Sequence, residues 1–406
     1  MGGRHRAATH DGLLDDPTVE AQSPLADQLA CRRAQGLDYG LLLSVVGLLL
    51  IGLLMVYSAS QFAVAGDPSY WVRRQLLWAL LGCVALFVTA RIDYHIWRRW
   101  AGLSMLVSLV LLALTLRLGE TAYGAQRWLR LGISVQPSEL AKLAFALYLA
   151  DWLARKGADT PTLLYGLAPF VALTGLLLGL VLLQNDLGTS LILAALALAT
   201  YFAAGASPWR LALTVGAGAA LYVGVIAGTG FRRARVDAFL HPLPPGCGTA
   251  NAYQVCQGLI SLGSGGLFGR GLGDSVQKAG YLPNPFTDSI FAITGEELGL
   301  VGCLVIIGLF ALLAFRGYVA ARRAPDRYGA LLACGIITWI VVQALVNVGS
   351  VVDAIPFTGV PLPFVSFGGS SLVTALAAVG VLLNIARQGQ VSGARAHASH
   401  TTTASE

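Results

Sequence analysis

Residues 281–315 read YLPNPFTDSIFAITGEELGLVGCLVIIGLFALLAF. A polar, proline-turned loop gives way to an apolar run, and Asp288 stands at the border between them. The run is continuously apolar rather than alternating, so it reads as a membrane helix over 288–315 and not as a strand of a β-barrel. An acid at the mouth of such a helix is costly unless something pairs it or uses it. Asp288 is therefore the first candidate for chemistry.

The rest of the chain repeats the pattern. Of 406 residues, 56% are hydrophobic and only 12% charged, about half the charged fraction usual in soluble proteins. Apolar windows predict ten helices, near 38–60, 71–90, 97–116, 137–154, 163–183, 187–205, 209–228, 288–315, 329–350 and 366–386. The expected fold is an all-α, polytopic membrane protein with about ten transmembrane helices. A 59-residue polar loop without long helices is expected at 229–287. The tails 1–36 and 389–406 are polar and short of aromatics, and both are expected to be disordered. The first has no apolar core near its start, so it does not read as a signal peptide.

Lysine and arginine set the orientation. With the N-terminus inside, 16 basic residues fall in the inner loops and tails against ten in the outer loops. Both termini are therefore expected in the cytoplasm, and the loop 229–287 outside it. Half of the outer ten lie in that one loop: Arg232, Arg233, Arg235, Arg270 and Lys278. They read either as ordinary headgroup contacts or as a basic pocket for an anionic substrate such as a lipid diphosphate.

Three further segments carry polar groups into apolar surroundings. QPSELAK (136–142) places Pro137 in a first helical turn, and puts Glu139 and Lys142 three apart on one face, where they can pair. Asp186, in the short QND turn at 184–186, is a second candidate partner for Lys142. The pair reads either as an internal ion-pair lock or as part of a functional polar cavity. SLGSGGLFGRGLGDS (261–275) is glycine-rich, but no strand precedes it and no GK[ST] follows. Close packing therefore fits at least as well as phosphate binding. Beyond Asp288 the same helix carries Glu296 and Glu297, with Glu296 about 12 Å deeper at helical rise. Asp288 suits a general base for a substrate hydroxyl, or a helix N-cap shared with Thr287. In SFGGSS (366–371), small residues including Ser366 and Ser370 permit close helix approach or line a groove for a lipid chain.

Six cysteines are scattered without a metal-binding spacing. Cys247 and Cys256 share the polar loop and could form a disulfide if it is extracytoplasmic. Their spacing allows the bond without demanding it.

Taken in order, RWLRLGISVQPSELAK, QNDLGTS, YQVCQGLISLGSGGLFGRGLG, YLPNPFTDSIFAITGEELG and PLPFVSFGGSS resemble the SEDS proteins of bacterial cell-wall synthesis (FtsW, RodA and SpoVE). The resemblance spans roughly residues 38 to 387. It implies a peptidoglycan glycosyltransferase, inverting, with a lipid diphosphate leaving group, that polymerises lipid II on the outer face of the cytoplasmic membrane. It implies a class B penicillin-binding protein and other divisome or elongasome proteins as partners, and no nucleic acid. The family's essential aspartate falls on Asp288, its buried Glu/Lys pair on Glu139 and Lys142, its tryptophan on Trp128 and its QPD aspartate on Asp186. Arg232, Arg235, Arg270 and Lys278 are then the candidate counter-charges for the diphosphate, with a divalent cation such as Mg or Mn as an alternative.

The chain also departs from the family's pattern. LPNPFTD stands where LPEAHTD is usual, so Asn284, Pro285 and Phe286 replace Glu, Ala and His. QND stands for QPD, SFGGSS for SYGGSS, and VDAIP for TGLLP, which introduces Asp353. Lys278 before YLP leans toward the FtsW/SpoVE branch rather than RodA. A flippase for the lipid-linked precursor, and a scaffold without activity, are the rival readings. The polar groups inside the membrane would serve a flippase as well, but the spans show no inverted repeat.

Overall fold

The computed structural model describes residues 37–403, except 64–66, 123–124, 132, 158–159, 161, 228–235, 238, 241–246 and 248–249. The N-terminal tail, Arg232 and Arg235 thus lie outside the described residues. Helices α1 (Tyr39–Ala59), α2 (Tyr70–Arg91) and α3 (Tyr94–Leu118) are followed by a three-stranded antiparallel sheet. Its strands are β1 (Glu120–Ala122), β2 (Ala125–Leu131) and β3 (Ile133–Val135), with β2 in the middle. Then come α4 (Pro137–Lys156), α5 (Leu163–Leu183, opening with a π-turn), α6 (Leu187–Ala203) and α7 (Pro208–Ala227). Helices α8 (Ala250–Gly265), α9 (Ile290–Arg323), α10 (Arg327–Val351) and α11 (Gly369–Thr403) complete the chain.

Each of the ten expected helices has its counterpart, and among the described residues seven helices are long and apolar enough to cross a membrane. The protein is an all-α multi-pass membrane protein. Helices α10 and α11 form its centre: 67% and 83% of their apolar windows are buried, against 22–39% for the other five. The outer five keep Leu, Val and Phe exposed, as lipid-facing helices do. Glycines bring α2 and α11 together. A Cβ on Gly380 would lie 2.4 Å from the Leu86 carbonyl oxygen, and one on Gly82 2.4 Å from the Leu376 side chain.

Two expectations need correcting. The loop 229–287 is not without long helices, because α8 occupies 16 of its residues. Ala252, Val255 and Gly258 are buried on this helix, which packs against α9, a signal hidden by its mixed polarity. The C-terminal tail is also not wholly irregular, since α11 continues through 389 to Thr403. Extending an existing helix through Ala394, Arg395 and Ala396 requires no new nucleus.

The glycine-rich segment has a mechanical explanation. Gly299 adopts φ +68°, ψ −165° and breaks α9, which frees main-chain groups on both sides of the break. The 266–271 segment takes them up. Arg270 N and Gly271 N donate to the carbonyls of Glu296 (2.9 Å) and Glu297 (3.1 Å), while Leu300 N and Val301 N donate to those of Gly266 (3.0 Å) and Leu267 (3.2 Å). Irregular backbone is tolerated at a membrane helix only when it is satisfied in this way. So close an approach excludes side chains: a Cβ on Gly265 would lie 1.9 Å from the Gly295 oxygen, and one on Gly269, at φ +80°, 2.1 Å from the Glu297 oxygen. Gly269→Ala is therefore expected to lose about 1–3 kcal/mol from the backbone conformation alone, with the clash added. A lowered melting temperature in detergent checks this.

Candidate functional site

One end of the bundle gathers the polar groups that sequence reading singled out. Asp288 lies just before α9, half-buried. The N-cap position of α9 is Ser289, whose side chain makes no capping bond. Thr287 Oγ1 donates to Asp288 Oδ1 at 3.0 Å. Behind the carboxylate stands Gly359, at φ +68°, whose Cβ position lies 3.5 Å from Asp288 Oδ2. The main chain of 286–288 is tied outward, with Phe286 O accepting from Phe367 N (2.9 Å), Thr287 O from Ser366 Oγ, and Asp288 O from Asn347 Nδ2 (2.9 Å).

The other two acids of α9 are sealed. Glu296 accepts from Ser261 Oγ (2.9 Å), Ser275 Oγ (2.6 Å) and Val276 N (2.9 Å), and meets Arg270 Nη1 at 3.3 Å. Glu297 accepts from Ser58 Oγ (2.6 Å) and pairs with Lys278 Nζ at 2.9 Å. The Lys278 ammonium also donates to Gly273 O at 2.6 Å and is buried. Two of the four cations expected to face a diphosphate are thus engaged by Glu296 and Glu297. Lys278 acts as a lock between the glycine-rich segment, α1 and α9, while Arg270 keeps part of its guanidinium exposed.

Glu139 and Lys142 pair at 2.8 Å, both buried. The second partner of Lys142 is not Asp186 but Gln343 Oε1, at 2.6 Å. Trp339 Nε1 donates to the same oxygen, and its ring lies 5.2 Å from the ammonium. Asp186 instead caps α6 through Thr189 N (3.1 Å), accepts from Gln136 Nε2 (3.4 Å) and faces Arg127 Nε at 3.8 Å. Asn185 bends the turn with φ +59°, and its carbonyl accepts from Arg127 Nη2 at 2.7 Å. Strand β2 delivers this arginine, and next to it Trp128, paired in register with Glu120. Ser370 Oγ accepts from Gln136 N at 3.3 Å.

The sequence reading missed Gln343 and Asn347. They are four apart on α10 and share a face. Gln343 Nε2 donates to Pro361 O (3.0 Å), and Asn347 Nδ2 to Val360 O (2.7 Å) as well as to Asp288 O. Two amides spaced i, i+4 inside an apolar helix were the available signal. The departures from the family pattern also come together here. Phe286 and Phe367 lie 6.0 Å apart between ring centroids, and both pack on Trp71, at 5.0 and 4.9 Å. The Arg74 guanidinium lies 5.7 Å from the Trp71 ring. Asp353, the introduced acid, sits at φ +56°, and partial burial pushes its carboxyl above the usual range. Cys247 and Cys256 are joined in a disulfide. Among the described residues, no three His, Cys, Asp or Glu side chains converge as a metal site.

The fold and site define a multi-pass membrane protein with a cluster of polar and acidic groups at one end of its helical bundle. The pattern of the cell cycle protein family of FtsW, RodA and SpoVE matches residues 39–391, and the chain belongs to that family. It is 43% identical over 359 residues to "Probable peptidoglycan glycosyltransferase FtsW" of Trichlorobacter lovleyi, covering 86% of this chain and 92% of that one. It is 40% identical over 355 residues to stage V sporulation protein E of Bacillus subtilis, covering 86% and 96%. Among solved structures it resembles a chain of a peptidoglycan synthase complex described as coordinating polymerization and crosslinking. That match has TM-score 0.72 at 29% identity and covers 87% of this chain and 98% of the other.

Proposed function

We propose that this protein is a peptidoglycan glycosyltransferase of the division type, polymerising lipid II with Asp288 as general base. One observation carries the assignment. Of the five acids in the family-like segments (Glu139, Asp186, Asp288, Glu296 and Glu297), Asp288 is the one not buried. A base must reach its substrate's proton, and the other four are held by partners inside the protein. Asp288 would deprotonate the acceptor hydroxyl, whose oxygen attacks the donor's anomeric carbon with inversion as the lipid diphosphate departs. Membership of the FtsW, RodA and SpoVE family and the relatives' names support the reaction class.

The chain is proposed to sit in the bacterial cytoplasmic membrane with both termini inside. The excess of basic residues at that end supports this, and the disulfide at the opposite end suits an oxidising compartment. A class B penicillin-binding protein is the proposed partner, in keeping with the crosslinking function of the complex to which the chain is similar. A divalent cation such as Mg or Mn is the alternative counter-charge for the diphosphate, and polymerisation with and without EDTA tests for it.

With Lys278 buried in its ion pair, Arg74 is a further candidate cation for the diphosphate, held over the Trp71 ring that packs on Phe286. Arg74→Ala is expected to raise the KM for lipid II about tenfold, the loss of one charge-assisted contact. Purified protein given lipid II in detergent, without a membrane gradient, should lengthen glycan chains. Translocation without any glycan product would overturn the proposal in favour of a flippase.

A further inference from the structure

We propose that Asn347 and Ser366 are positioning residues that aim the Asp288 carboxylate by holding the main chain beneath it, a role that rests on reading Asp288 as the base. Residues 286–288 precede α9 and form no part of it. Their three consecutive carbonyls are nevertheless all captured from outside the segment, by Phe367 N, Ser366 Oγ and Asn347 Nδ2. A surface turn ordinarily leaves such oxygens to water. Here the capture fixes the peptide planes on both sides of Thr287 and the plane following Asp288. The direction in which the Asp288 side chain leaves the backbone is then fixed as well.

Each holder is itself doubly anchored. Asn347 is fully buried, and its one amide nitrogen bridges Asp288 O at 2.9 Å and Val360 O at 2.7 Å. It therefore sets the distance between the acid and the neighbouring 359–360 backbone, where Gly359 takes φ +68°. Ser366, also buried, accepts from Leu362 N at 2.8 Å while donating to Thr287 O. Only a group that both donates and accepts can close that link. Ser366 was expected in the substrate cavity, but these bonds account for its hydroxyl without a substrate. Catalytic geometry tolerates errors of about 0.5 Å, and a misplacement of about 1 Å is worth about 100-fold in rate.

The test compares Asn347→Leu, Ser366→Ala and Asp288→Ala in the full-length protein, with lipid II polymerisation rates divided by the number of lipid II binding sites titrated in each preparation. The expected result is a fall of about 10- to 100-fold in kcat per binding site for Asn347→Leu and Ser366→Ala, with KM unchanged. A purely structural role would reduce the number of sites and leave kcat per site alone, which overturns the proposal. A raised KM at constant kcat also overturns it, by making Ser366 a substrate contact. If Asn347→Leu does not fold, Ser366→Ala decides, since it removes one hydroxyl and leaves Asn347 in place. Full activity in Asp288→Ala would instead sink the general-base reading itself, and the two failures are thereby separable.

Discussion

Asp288→Ala is expected to lower lipid II polymerisation by about two to four orders of magnitude, the usual contribution of a positioned general base. The carboxylate is half-buried, so the melting temperature should change less than on removal of a fully buried acid. Lipid II affinity should also hold, because the acceptor's hydroxyl is a small part of a large lipid-linked ligand. The loss should therefore appear in kcat. Glu296→Gln and Glu139→Gln make the necessary contrast. Both carboxylates are buried against named donors, so their removal should act through stability first. Normal polymerisation by Asp288→Ala would remove the mechanism. If Asp288→Ala polymerises normally while Arg74→Ala loses lipid II binding, the substrate site lies instead at the cluster of Trp71, Phe286 and Phe367.

The helices were legible because membrane spans announce themselves by composition alone, and each of the ten windows found its helix. What stayed hidden was backbone that depends on a distant partner. The Gly299 break cannot be seen in GEELGLVGC, since glycine is common in membrane helices. It exists because Arg270 and Gly271, some 30 residues upstream, supply donors for the freed carbonyls of Glu296 and Glu297. The site was partly legible. Asp288 stood out as a costly acid, and the Glu139–Lys142 pair followed from its spacing. The destinations of Asp186, Arg270 and Lys278 did not, because a charge on a loop names its sign and not its partner. Phe286 and Phe367 illustrate the same limit from the other side. Read singly they are two departures from a family pattern, whereas in the fold they share one contact with Trp71. Against the His and Tyr of the pattern it resembles, the chain thus places two apolar rings where polar rings are expected, one of them two residues before Asp288.

Lys278→Met is expected to destabilise the protein by about 3–5 kcal/mol, because it strands Glu297 as a buried, unpaired carboxylate. Both partners are almost wholly buried, at side-chain exposures of 1% and 0%. The ammonium serves three acceptors at once: Glu297 Oε1 at 2.9 Å, Ser58 Oγ at 3.0 Å and Gly273 O at 2.6 Å. Removing it opens the seam between α1, the glycine-rich segment and the broken start of α9. Replacing both partners, as Lys278→Met with Glu297→Leu, should recover most of the loss, because an uncharged pair leaves no charge to solvate. Thermal unfolding of the single and double variants in detergent gives the coupling directly. The same variants choose between two roles for the lysine. A diphosphate ligand would raise the KM for lipid II without changing the melting temperature, and Glu297→Leu would not repair it. A structural lock shows the reverse, with stability lost in the single variant and regained in the double. The reverse is the expected outcome, since an ammonium held by a carboxylate, a hydroxyl and a carbonyl has no N–H left to offer a substrate.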